Sequence, residues 1–77
     1  MESLEEAIME VVARVGDPTL DDILTQVDEA WFPADVKSTV MAFVHRGWLR
    51  MKDDDQEHDR TYRVTAKGRE AYAHIFA

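Results

Sequence analysis

The chain has no cysteine, only three glycines and two prolines, and nine Lys or Arg against sixteen Asp or Glu. Each shortage excludes something. Without cysteine there is no disulfide, no thiolate zinc site and no cysteine nucleophile, and a reducing, cytoplasmic setting is expected. Three glycines do not build a phosphate-cradling loop, and no serine stands in a Gly-x-Ser-x-Gly turn, so nucleotide-binding and hydrolase motifs are missing. No apolar run approaches ~18 residues and no leader pairs a charged start with an apolar middle, so neither membrane insertion nor secretion is expected.

What is present describes a small globular protein. Of its 77 residues 45% are hydrophobic and 32% charged, a balance that folds rather than stays disordered. At that length one domain over residues 1–77 is expected, burying only about 60% of its unfolded surface. A second, catalytic domain does not fit, and neither enzyme activity nor a cofactor is expected.

The net charge of −7 argues at first sight against nucleic acid, because phosphate binding rests on excess Lys and Arg. Its distribution reverses that. Residues 1–30 hold nine acids and one base, Arg14, for −8, whereas residues 31–77 hold eight bases and seven acids, for +1. Five of those seven acids stand together as Asp53, Asp54, Asp55, Glu57 and Asp59; without them the second half is +6. An acidic support and a basic working half are expected, interrupted by one acidic loop.

Ser3 and Glu6 have capping-box spacing, and Leu4, Ala7, Ile8, Val11 and Val15 follow at helical intervals, so a first helix is predicted over about 4–15. Its outer face is acidic, with Glu5, Glu6 and Glu10. Gly16-Asp17-Pro18 breaks it. Thr19 caps a second helix with Asp22 at the reciprocal position, turning Leu20, Ile23, Leu24 and Val27 inward; it fades at Asp28-Glu29-Ala30. Trp31 and Phe32 are expected to pin the next turn to the core, ahead of Pro33 in a first helical turn.

The informative stretch runs from Pro33 to Lys52. Val36, Val40, Phe43 and Val44 share one side of a helix over about 33–46. Lys37, Ser38, Thr39, Met41, His45 and Arg46 are left on the open side. Gly47 suits the left-handed conformation that ends a helix, and Arg46 the negative end of its dipole. From Trp48 to Lys52 the period becomes two, with Leu49 and Met51 on one face and Trp48, Arg50 and Lys52 on the other. After the hydrophilic run from Asp53 to Asp59, the stretch Arg60 to Thr65 alternates again, Tyr62 and Val64 inward, Thr61 and Arg63 outward. The two segments make an antiparallel hairpin. Thr65 caps a last helix from Ala66 to about Phe76, with Gly68, Ala71, Tyr72, Ile75 and Phe76 on one side.

The order is helix, helix, turn, helix, strand, loop, strand, helix, an α+β chain. Three strings within it, Lys37-Ser38-Thr39-Val40, Gly47-Trp48-Leu49-Arg50 and Tyr62-Arg63-Val64-Thr65-Ala66-Lys67-Gly68-Arg69-Glu70-Ala71, resemble a family. The last two look like the wing strands and following helix of PadR-like and MarR-like transcriptional regulators. The resemblance implies a winged helix-turn-helix: a three-helix core, a two-stranded wing (48–64) and a C-terminal helix. It also implies a small DNA-binding regulator. Its third helix would read the major groove of double-stranded DNA through Lys37, Ser38, Thr39 and Met41, with Arg46 at its end. Arg50, Lys52, Arg60 and Arg63 would form a basic outer wing surface for phosphates. Dimerisation through terminal helices, using Tyr72, Ile75 and Phe76, follows from the same resemblance; closing the core is their plainer role.

Other readings stand beside these. Asp35 would be repelled by phosphate, and five acids at the wing tip meet a Coulomb penalty in a minor groove. That wing tip, the −7 total and the acidic first helix motivate an alternative, a winged-helix protein-interaction module, an adaptor or inhibitor whose acidic surface docks on a basic protein. The alternating acids suggest calcium, but the EF-hand's glycine at the sixth loop position and glutamate at the twelfth are missing, so a solvated run is expected. His45, His58 and His74 lie too far apart for a ligand set and read as surface residues, His74 pairing with Glu70.

Overall fold

The computed structural model describes residues 3–27, 30–52 and 60–75, the Ile75 side chain excepted. Four helices and two strands follow in order: α1 (Leu4–Val15), α2 (Leu20–Gln26), α3 (Pro33–Arg46), β1 (Leu49–Lys52), β2 (Thr61–Val64) and α4 (Ala66–Ile75). The expected acidic loop from Asp53 to Asp59, with His58, and Phe76 lie outside the described residues, as do Asp28 and Glu29. No helix among the described residues is long and apolar enough to cross a membrane.

Caps set the helix starts. Ser3 accepts a hydrogen bond from the Glu6 N–H at 3.2 Å. Thr19 and Asp22 form the full reciprocal box, each side chain accepting from the other's backbone N–H at 3.1 Å. α3 begins without a side-chain cap, on Pro33, whose missing N–H leaves one fewer donor to satisfy. It ends in a Schellman motif: Gly47 takes φ 79°, its N–H bonds the Val44 carbonyl at 3.1 Å, and the Trp48 N–H bonds the Phe43 carbonyl at 2.9 Å. The apolar contact that accompanies such motifs is present, the Phe43 and Trp48 rings stacking with centroids 5.2 Å apart.

One core joins the elements. Ile8, Ile23, Val36, Val40 and Phe43 are fully buried, with Leu49, Tyr62 and Val64 closing it from the hairpin. β1 and β2 pair antiparallel, Leu49 opposite Val64 and Met51 opposite Tyr62 on the inner face, Arg50 opposite Arg63 on the outer. β2 is bonded on its other edge too: Thr19 bridges to Thr61, and the Tyr62 N–H donates to the Pro18 carbonyl at 2.9 Å. The segment read from sequence as a helix breaker and cap therefore also bonds the edge of β2 that β1 leaves open. This arrangement is an α+β winged helix-turn-helix, with α2 and α3 as the two-helix unit and β1–β2 as the wing.

α4 sits unusually close to the start of the wing. Thr65 Oγ1 donates to the Gly47 carbonyl at 2.6 Å, with the Trp48 carbonyl a second acceptor at 3.1 Å, and itself accepts from the Gly68 N–H at 3.0 Å. The Thr65 N–H donates to the Trp48 carbonyl at 3.0 Å. A β-carbon at residue 68 would overlap that carbonyl oxygen and stand 2.9 Å from its carbon, so only glycine fits.

Three expectations change. Phe32 does not pin the turn to the core: it is 73% exposed, because as the residue before Pro33 it projects past the helix end, and Trp31 alone packs inward. Val15, expected inward with Ile8 and Val11, is exposed at the last residue of α1, whereas Met9 and Val12, outside the expected stripe, are buried. Trp48 precedes β1 rather than facing outward from it, and lies half-buried on Phe43. Tyr72 packs against the core.

Gly68→Ala is expected to lower stability by about 2–3 kcal/mol, because backbone rather than a flexible side chain must move. Gly47→Ala, which meets only the Lys67 side chain at 3.8 Å, should cost about 1–2 kcal/mol through its left-handed backbone alone. Urea unfolding followed by tryptophan fluorescence gives the ranking.

Candidate nucleic-acid interface

α3 presents its outer face because its inner face is fully used. Val36, Val40 and Phe43 take the core side, which leaves Lys37, Ser38, Met41, His45 and Arg46 exposed. Thr39 differs: it is half-buried, and its hydroxyl donates back to the Asp35 carbonyl at 2.8 Å, so the donor expected to meet DNA is engaged within the helix. Asp35 is exposed in the first turn, where its charge complements the helix dipole.

Arg46 is ordered by rings. Its guanidinium lies 5.1 Å from the Trp48 ring centroid and 5.9 Å from that of Phe43, a cation–π arrangement that fixes the end of α3 against the entry to β1. Lys67 of α4 lies over the same corner, its Nζ 4.0 Å from where a β-carbon of Gly47 would stand. Two cations thus flank the carbonyl end of α3. Sequence spacing did not single out Lys67, since only the crossing of α4 over the corner brings it there. His45, by contrast, was legible in the sequence as part of the open side of the helix, with Lys37, Ser38, Thr39, Met41 and Arg46.

On the wing, Arg50, Lys52 and Arg63 project from the outer face and are exposed. Arg50 and Arg63 stand directly opposite one another, a pairing of like charges that is unfavourable by itself. Asp17 relieves it. The Arg63 Nε and Nη2 donate to the two Asp17 carboxylate oxygens, both at 2.8 Å, in a bidentate fork. These residues, with Met51 and Thr61, line a groove of about 420 Å³. Arg63 is therefore committed to an acid from the first half of the chain, whereas Arg50 and Lys52 form no salt bridge among the described residues. Arg60 is half-buried just before β2.

The Arg63 hydrogen bond holds the Asp17 carboxyl below the usual carboxylate range; partial desolvation opposes this, and the charges of Arg63 and Lys52 add to it. Burial pushes the Tyr62 phenol above its usual value, against the smaller pull of Arg60.

No protein-family model matches the chain, and no curated protein matches it in sequence. Solved structures share its fold. One is BpsR of Bordetella bronchiseptica, described in terms of the regulation of its DNA binding by 6-hydroxynicotinic acid, with 16% identity and a TM-score of 0.78 over 97% of this chain and 53% of that one. Another is the organohalide-sensing transcriptional regulator RdhR with 2,4-dichlorophenol bound, again with 16% identity and a TM-score of 0.78, over 94% of this chain and 43% of that one. The chain spans about half the length of these proteins or less.

The lowered Asp17 value fixes the sign of a pH effect. Stability from the Asp17–Arg63 fork is fully present above the unfolded carboxylate value of about 3.9 and is lost as pH falls through the lower folded value. Asp17→Asn should accordingly unfold at lower urea than the parent near neutral pH, with the gap closing in strong acid.

Proposed function

We propose that this chain is a DNA-binding transcriptional regulator of the PadR-like or MarR-like kind, with α3 entering the major groove and the wing lying on the flanking backbone. The observation that carries the reading is the uncovered outer face of α3: Lys37, Ser38, Met41, His45 and Arg46 are exposed and no described element of the chain packs across them. In a helix-turn-helix this face belongs to the second helix of the pair and meets base edges. The neighbouring solved structures, one of a protein described for its DNA binding and one of a transcriptional regulator, support the same assignment by fold.

The residues divide by role. Ser38 and Met41 face the bases, and Lys37 on the flank of the helix takes a phosphate. Thr39 contributes through its methyl and the lone pairs of its hydroxyl, its proton being held by Asp35. Arg46 meets the backbone from its position on Trp48. Arg50 and Lys52 hold the wing to phosphates, with Arg60 behind them, whereas Arg63 is the weakest phosphate contact because Asp17 already occupies its fork. The protein acts inside the cell on double-stranded DNA, as a homodimer whose copies meet through their terminal helices.

Fluorescence anisotropy with duplex DNA across a salt series tests this. Affinity should fall by about 0.9 log units per log unit of salt for each phosphate contacted, and Lys37→Ala combined with Arg50→Ala should flatten the slope by nearly two such contacts. Arg63→Ala should flatten it by much less. Absence of binding at low salt removes the proposal in favour of a protein-interaction module, in which the acidic surface of α1 docks onto a basic protein.

A further inference from the structure

Ala34, Ser38, Met41 and His45, all exposed, are spaced i, i+4, i+7 and i+11 along α3, directly opposite the buried Val36, Val40 and Phe43. The composition of this line is unusual for a face turned to polyanion. It holds no guanidinium, and α3's one arginine, Arg46, lies over the rings of Trp48 and Phe43. It does hold a large apolar side chain, Met41, 38% exposed, and the small apolar Ala34. Lys37, on one flank of the line, is the helix's other cation.

The major groove offers different partners to such groups. Guanine presents two acceptors, read most often by an arginine or lysine fork. Thymine presents one acceptor and a C5-methyl, the apolar group of the groove. A helix that sets methyl and thioether groups where arginine forks usually stand is matched to the second. We infer that α3 reads thymine-bearing steps, with Met41 against a thymine C5-methyl, Ala34 able to cover a neighbouring methyl, and Ser38 bonding an adjacent base edge. This rests on the duplex-reading proposal above and adds to it the class of sequence read and the residue that selects it.

The experiment separates the two. A duplex pool with a randomised centre is enriched on the full chain at low salt, then remade with deoxyuridine in place of deoxythymidine, which keeps base pairing and removes only the C5-methyl. The thymine pool should bind more tightly by about fourfold for each methyl buried. Met41→Ala should lose about one such factor of discrimination, and Met41→Leu should retain it. Equal affinity of the unsubstituted protein for both pools overturns the inference while leaving duplex binding intact. Full discrimination in Met41→Ala overturns the assignment to Met41, and failure of both pools to bind at low salt overturns both proposals together.

Discussion

α4 can rest on the start of the wing only because residue 68 has no side chain. The Trp48 carbonyl occupies the space a β-carbon would need, and around that contact Thr65 bonds the carbonyls of Gly47 and Trp48 and the N–H of Gly68. Four residues from four different places in the fold are thereby joined: the end of α3, the entry to β1, the exit of β2 and the first turn of α4. The Schellman turn at Gly47 and the stacked Phe43, Trp48 and Arg46 add a second layer to the same corner. The angle between α3 and the wing follows from it.

The second constraint is electrostatic and crosses the chain. Its acids are concentrated in the first half and its bases in the second, yet the one long-range ion pair described, Asp17 with Arg63, runs between the halves. It is exposed, and exposed pairs contribute little stability of their own. Its consequence here is placement: it compensates the facing of Arg50 and Arg63 across the hairpin and ties β2 to the segment that already bonds it through Pro18 and Thr19. A net charge of −7 is compatible with a face for polyanion for a related reason. Charges separated by more than about 8 Å are largely screened in physiological salt, and the molecule extends 36 × 29 × 20 Å, several such lengths.

Periodicity, caps and breakers made most of the architecture readable in advance. Thr19 with Asp22, Pro33 at the head of α3, Gly47 at its end and Thr65 before α4 all stand where their local chemistry puts them. The inner and outer faces of both strands also follow from alternation. Phe32 and Val15 escaped the same reasoning because hydrophobicity says that a side chain gains from burial, not that an element will be there to bury it. The β-bridge of Thr19 to Thr61 escaped it because a one-residue strand has no period.

For the candidate interface the division is sharper. Apart from Thr39, the side chains that α3 turns away from its core could be read off the chain, as could the bases the wing strands carry, because both depend only on the repeat of the backbone and on a buried apolar stripe. The tertiary structure alone decided which of those groups are free to act. Whether Arg63 meets solvent or Asp17, whether Arg46 extends or lies on Trp48, and whether Lys67 joins the corner all depend on contacts between segments distant in the chain. Local spacing carries no information about such contacts, since a charge finds its partner only after the core has fixed which surfaces lie side by side.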